Sequence, residues 1–379
     1  MIIQRPCLSP YHISDKGDIM EFNRENTEKE FRERIVGLSG VFGPSGFEDE
    51  VANLIKEHLK DVDYEISSDV MGNLIFHKKG KGKTKVLISA HMDEIGLIIR
   101  HIDSKGFLWV DTLGGIAPQQ FFGKHVIIRT EEGKHIDGII NSLHPGRPDR
   151  CHTMPESVHE FFIEVGADSK QDVIDMGIEV GNAVSIDYPV IFLGNHRIGG
   201  KALDDRAFVF ILEELVKLLD DKDNIPDFYA VFSVQEEVGA RGAIVAASNI
   251  KPDIAIALDM SLATDIPGVP DAECVNALGE GASIKVMDKL GTGIGGLLSN
   301  REVVSQMKKT AKENNIPYCI ETYAAGATDA SFMQTLNGGI KAGGIQTPMR
   351  YVHSYEVVDV RDVAATLELL YRYVLSLSE

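Results

Sequence analysis

Three short apolar runs in this chain each stop on a chemically capable side chain, and that coincidence limits the folds open to it. Val86-Leu87-Ile88-Ser89-Ala90 stops at His91-Met92-Asp93, the run from Phe228 to Val234 stops at Gln235-Glu236-Glu237, and Ile254-Ala255-Ile256-Ala257-Leu258 stops at Asp259. Runs of this length and apolarity predict strands buried on both faces, as in a helix-covered α/β sheet. Ligands gather at the carboxyl ends of strands in such sheets, where these polar residues fall.

The surrounding sequence supports that reading and interrupts it once. Thr27-Glu28-Lys29-Glu30 reads as a capping box, with Phe31, Ile35, Val36 and Leu38 behind it at helical spacing and Gly40 as the stop. Ser45-Gly46-Phe47-Glu48 reads as a second box, opening a helix through Val51, Leu54, Ile55 and Leu59. From about Gly96 to Ile198 the texture changes to short β-type runs (Phe107 to Val110, His125 to Arg129, Val190 to Leu193) between glycine-rich turns. Helical spacing returns at Arg206 to Leu219, where Phe208, Ile211, Leu212 and Leu215 form a core stripe. Helices are also expected from Ser299-Asn300-Arg301-Glu302 to Asn314, over Ala330 to Leu336, and over Val360 to Leu377. The pattern is an α/β sandwich interrupted by an all-β insertion. The expected division is an extension over 1–24, disordered, a catalytic α/β domain over 25–95 and 197–379, and a β-rich insertion over 96–196.

Composition excludes several classes of function. The 379 residues suffice for two structural units, and 44% apolar content without an apolar stretch of about 18 residues argues against both disorder and a membrane span. With 38 basic against 57 acidic side chains the net charge is −19, which repels nucleic-acid phosphates and anionic lipid. No nucleic-acid or membrane partner is expected. Cys7, Cys151, Cys274 and Cys319 are scattered without CxxC pairing, so reduced thiols and a cytoplasmic setting are expected. The first residues lack the basic start and apolar core of a signal peptide, and Met20 offers a second plausible start.

Two further groups join the strand ends: Asp204-Asp205, opening the helix after the insertion, and His353 in Arg350-Tyr351-Val352-His353-Ser354. Two imidazoles with three or more carboxylates suit a dinuclear site for a borderline divalent ion. In an extended segment residues i and i+2 share a side, so Asp93 can accept from the far nitrogen of His91 and fix its tautomer. Adjacent Glu236 and Glu237 point apart, so one can bind metal while the other serves as general base beside a water activated between two ions. That is equipment for peptide or amide hydrolysis. Each piece alone has a plainer reading: paired acids often mark a solvated turn, Asp259 could cap the next segment, and His353 could be a surface imidazole. Their shared position at strand ends is what favours the metal site.

From about Gly43 to the C-terminus the chain resembles the tetrahedral aminopeptidases, two-metal peptidases also known as glutamyl or deblocking aminopeptidases and sometimes as endoglucanases. The resemblance rests on GPSGFEDEV, SAHMDEIGLI, GGKALDDRA, SVQEEVGARGA, ALDMSLATDIPG, GATDASF and PMRYVHSYE, in that order. It implies a mixed central sheet flanked by helices, of the zinc-peptidase type, with residues 96–196 as a PDZ-like dimerisation domain. It implies Asp204 bridging two divalent ions, zinc or cobalt, with His91 and Asp259 on one and Glu237 and His353 on the other. Glu236 would be the general base, Asp93 would orient His91, and the Asp204-Asp205 peptide would be cis. It further implies peptide substrates and a homododecamer built from dimers. Thr328-Asp329 matches a motif near the family's active site, and Asp329 could equally cap the helix that follows. Two alternatives stand beside an aminopeptidase: a polysaccharide hydrolase of endoglucanase type, and a non-catalytic peptide-binding scaffold.

Overall fold

The computed structural model describes residues 22–142, 155–289, 295–323 and 325–378. Helices α1 (Arg24–Gly40) and α2 (Asp49–His58) lead into strands β1 (Glu65–Ser68), β2 (Leu74–Lys78) and β3 (Lys85–His91). Then come β4 (Gly96–Ile102), β5 (Leu108–Leu113), β6 (Lys124–Arg129), β7 (His135–Ser142), β8 (Phe161–Glu164), α3 (Lys170–Asp175) and β9 (Ala183–Ile186). After β10 (Ile191–Leu193) and β11 (Arg197–Gly200) the chain enters α4 (Leu203–Leu219), β12 (Asp227–Ser233), α5 (Arg241–Ile250) and β13 (Ile254–Leu262). It closes with β14 (Ala282–Met287), α6 (Arg301–Glu313), β15 (Tyr318–Thr322), α7 (Asp329–Met333), β16 (Lys341–Arg350), β17 (Glu356–Asp359) and α8 (Val360–Ser376).

Among the described residues, eleven strands form one mixed sheet, with the central order β12-β3-β13-β16. Those four run parallel. Register explains why the three apolar runs end together: Ser233 pairs with His91 across β12 and β3, while Ala257 pairs with Ser89 across β13 and β3. Two residues on from Ala257, Asp259 therefore comes level with His91, and Glu236 and Glu237 lie just beyond Ser233. One face of the sheet is covered by α1, α4 and α8, and the other by α5 and α7. The expected stripe of Phe208, Ile211, Leu212 and Leu215 is fully buried, and most of α4 is buried with it.

The insertion closes into a barrel, β4-β5-β8-β7-β6-β9, around its own core of Leu97, Val110, Val126, Ile140, Phe161 and Val184. Its far boundary is earlier than expected. Ile191–Leu193, read as part of the insertion, pairs with β11 on the edge of the main sheet, so the barrel strands end at Ile186. The expected disordered extension falls mostly on residues 1–21, outside the described residues, as do Cys7 and Cys151. Residues 22–24 are ordered: Phe22 packs against Tyr371, Asn23 accepts from the Asn26 amide as the cap of α1, and Arg24 donates to Glu368 at 2.6 Å. Thr27 accordingly sits inside the helix and caps nothing, because Asn23 is the better placed side-chain acceptor one turn earlier. Ser45 is no cap either, since its hydroxyl is turned towards Asp93. No helix of the described residues is long and apolar enough to cross a membrane.

Where the chain leaves the sheet for the barrel and where it returns, a buried ion cluster joins the two crossings. Lys201 Nζ donates to both Glu94 carboxylate oxygens at 2.8 and 2.7 Å, and Ser185 of β9 adds a third donor at 3.2 Å. Arg206 lies under this pair, donating to the carbonyls of Met92 and Leu38. Removing one partner of such a pair leaves an uncompensated buried charge. Lys201→Met is expected to lower the unfolding free energy by about 3–5 kcal/mol; urea denaturation with a loss below about 0.5 kcal/mol would show that the cluster is not structural.

Candidate metal centre

Asp93 organises the carboxyl ends of the strands. It is wholly buried, and its carboxylate accepts from Ser45 Oγ at 2.6 Å and from the backbone amides of Glu236 at 2.9 Å and Glu237 at 3.2 Å. The turn carrying the two glutamates is held from two more directions. Asn73 accepts from the Val234 amide and donates to the Gly242 carbonyl, and Glu48 accepts from the Gln235 amide at 3.0 Å while Gln235 sits at φ 56°. Gly242 has no room for a side chain: a Cβ there would lie 2.3 Å from Asn73 Oδ1.

Both imidazoles are anchored the same way. His91 Nδ1 lies 3.0 Å from the carbonyl oxygen of Asp93, and His353 Nδ1 lies 2.6 Å from that of Gly115. A carbonyl can only accept, so each Nδ1 carries the hydrogen and each Nε2 faces inward. The Asp93 carboxylate itself is 3.5 Å from His91 Nδ1, so the orienting hydrogen bond runs chiefly to its backbone. His91 Nε2 faces Asp204 Oδ1 at 3.2 Å, and His353 Nε2 faces Glu237 Oε2 at 3.1 Å and Asp204 Oδ2 at 3.7 Å. Asp204 thus stands between the two rings, following an αL residue, Ala202, and off helical geometry at φ −77°, ψ 99°. The Asp204-Asp205 peptide is cis.

Two groups of potential ligand atoms result, one of His91, Asp204, Asp205 and Asp259 and one of Asp204, Glu237 and His353, each with its atoms within 4.8 Å. All five residues named from the sequence as ligands are brought together, sharing Asp204. Glu236 stands at their edge, partly accessible. Asp205, noted from the sequence beside Asp204 but not assigned as a ligand, joins the first group: one oxygen accepts from the His91 amide and the other, buried, has no protein partner. Glu237 Oε1 is likewise buried and unpartnered. Glu356 was also missed; it accepts from the amides of Asp204 and His353, each at 3.0 Å, tying the two ligand segments together. Its place three residues after His353, at the start of β17, was the available signal. Asp329 does not cap α7, since Thr328 does; it is buried and accepts from Ser233 Oγ at 2.7 Å.

The electrostatics fit a bound cation. Burial, and then the neighbouring carboxylates, push Asp205, Glu236 and Asp259 well above the ordinary carboxyl range. No lysine or arginine among the described residues forms an ion pair with Asp204, Asp205, Glu236, Glu237 or Asp259; the ion-pair contacts of this group are with the imidazoles. Unpartnered buried carboxylate oxygens converging with two Nε2 atoms are a donor set for a borderline divalent ion. Burial opposes protonation of His353, yet Glu237 and Asp204 outweigh it and raise its pKa to about 10. His91 is raised too: burial disfavours its charge, and Asp205, Asp204 and Asp93 override that.

A buried cluster of imidazole and carboxylate at the carboxyl ends of parallel strands marks an α/β sandwich protein with groups that could hold a metal ion. Residues 72–369 match the M42 glutamyl aminopeptidase family, and the chain belongs to it. It is 33% identical over 345 residues to a lysyl aminopeptidase of Pyrococcus furiosus, covering 90% of this chain and 94% of that protein. Aminopeptidase APDkam598 of the archaeon Desulfurococcus kamchatkensis superposes with a TM-score of 0.86 at 38% identity, over 92% of this chain and 95% of that one. The TET1 peptidase of Pyrococcus horikoshii, described as assembling into a tetrahedron or a large octahedral shell, superposes with a TM-score of 0.80 at 28% identity, over 91% and 99%. Family and relatives together support an aminopeptidase activity.

Ion uptake must displace protons from His353 and His91, so affinity should rise with pH up to about 10, the value to which His353 is raised. Calorimetry of zinc or cobalt binding at pH 7 in buffers of different ionisation enthalpy is expected to show net proton release. Uptake without proton release would contradict this charge state.

Proposed function

We propose that the protein is a dinuclear metalloaminopeptidase that removes N-terminal residues from peptides. The observation that carries the reading is the sharing of Asp204 by two ligand groups, with a partly accessible carboxyl, Glu236, beside them. In this reading His91 and Asp259 would hold one ion and Glu237 and His353 the other, with Asp204 common to both groups. Two divalent ions, zinc or cobalt, supply when bound the Lewis acidity that acidifies a water and stabilises the oxyanion of the attacked carbonyl.

The chain's own groups do the remaining work. Glu236 takes a proton from the attacking water as the new C–O bond forms. It returns that proton to the amine as the C–N bond breaks, so the cycle leaves it unchanged. Asp93 holds Glu236 and Glu237 by their amides, keeping one carboxyl on the ligand side and the other free. The tetrahedral or octahedral assembly of the Pyrococcus horikoshii relative supports a homo-oligomer here, proposed as a dodecamer built from dimers with the barrel as its PDZ-like dimerisation unit. Free Cys274 and Cys319 support a reducing, cytoplasmic setting.

Glu236→Gln is expected to keep both ions while lowering kcat about 10²–10⁴-fold. The assay is hydrolysis of aminoacyl-anilides, and of free against N-acetylated peptides, by protein stripped and then reloaded with zinc or cobalt. Cleavage that needs neither ion nor a free N-terminus would overturn the reading, and polysaccharide hydrolysis surviving metal removal would put the endoglucanase alternative in its place.

A further inference from the structure

The barrel reaches the metal centre. Between β5 and β6 the chain runs along the turn that carries His353, and two hydrogen bonds fasten it there. The Gly115 carbonyl accepts from His353 Nδ1 at 2.6 Å. Gln120 Oε1 accepts from the hydroxyl of Ser354, the next residue, at 2.8 Å. Gly114, at φ 89°, lies so close that a Cβ would come within 2.8 Å of Ile95 Cγ2 and 3.2 Å of Glu237 Cβ. The other end of the segment is rooted in the barrel, where Phe121 is fully buried and packs on Phe161 with ring centroids 5.3 Å apart.

We infer that barrel segment 114–120 is a positioning element of the metal centre, fixing the tautomer and orientation of His353 and so the half of the site it forms with Glu237. The reasoning is chemical. His91 takes its orienting acceptor from its own strand end, two residues along, whereas His353 takes its acceptor from a different unit of the fold. His353 is 30% exposed and sits at φ 61° in a surface turn, so its own segment does little to hold the ring. Without the Gly115 carbonyl the hydrogen is free to move to Nε2, which then cannot bind an ion. A barrel that shifts relative to the sheet therefore loosens one ion and leaves the His91 half in place.

This inference rests on the functional reading above, and its test separates the two. Full-length protein is stripped, and cobalt binding to wild type, Gly114→Ala, Gln120→Ala and Gln120→Glu is measured by equilibrium dialysis alongside Tm. Gly114→Ala is expected to weaken one of two ions by about 10–100-fold and spare the other. Gln120→Ala should weaken the same ion to a smaller degree, and Gln120→Glu, which keeps an acceptor for Ser354, should restore it. Should Gly114→Ala fail to fold, the Gln120 pair decides. Folded variants that hold both ions with wild-type affinity, or lose both equally, would overturn the positioning role alone. Wild-type protein that takes up no ion would overturn the functional reading, and this one with it.

Discussion

The carboxylate of Asp93 is the constraint on which the site depends. It is buried and forms no ion pair with a lysine or arginine of the described residues, and its carboxylate accepts from one hydroxyl and two backbone amides drawn from distant parts of the chain. Because the amides belong to Glu236 and Glu237, one buried charge sets where two further carboxyls project. Against the cost of burial, hydrogen bonding and charge from His91, together with the bonds from Ser45 and the Glu236 amide, hold the Asp93 pKa below the ordinary carboxyl value. The same residue's carbonyl orients His91. Backbone geometry, side-chain charge and ring tautomer are thereby coupled at one position.

Around that point the fold concentrates like charges that oppose it. Asp204, Asp205 and Asp259 are buried, Glu236 and Glu237 crowd against them, and among the described residues the basic groups in ion-pair contact with them are the two imidazoles. Such an arrangement is destabilising by itself and persists because rigid surroundings hold it. The central sheet is sealed on both faces by apolar helices, and Glu48, Asn73 and Glu356 each tie loops at the strand ends by accepting from or donating to backbone groups. A scaffold of this stiffness stores affinity for cations.

The two units of the fold are joined through chemistry as well as chain. The Glu94–Lys201 pair clasps both crossings, and Arg129 of the barrel donates to both carboxylate oxygens of Asp49 on α2 at 2.8 and 2.7 Å. A third contact is the carbonyl of Gly115 on His353. An insertion bound only by its two connections would be free to swing; this one is pinned close to the ligands.

Much of the site was legible in the amino-acid order. Apolar runs that end in His91, Glu236 and Asp259 declare buried parallel strands, and those strands must deliver their end residues to one edge. The five residues named from the sequence as candidate ligands, and Glu236 beside them, were found from those strand ends together with the ordered motifs. What could not be read was which groups support them. Asp205 was noted only as the neighbour of Asp204, and the contacts of Glu356 with the Asp204 amide and of the Gly115 carbonyl with His353 join segments far apart in the chain, which no local pattern reports. Local cap motifs misled for a related reason: Ser45 and Thr27 have the right spacing, but Asp93 and Asn23 compete for the same roles in three dimensions. The sequence by itself determined the strands, the helices and the chemical inventory, because these depend on side-chain type and short-range period. Only the tertiary structure decided the register that levels Asp259 with His91 and the barrel contact that orients His353, because both depend on distances between segments far apart in the chain.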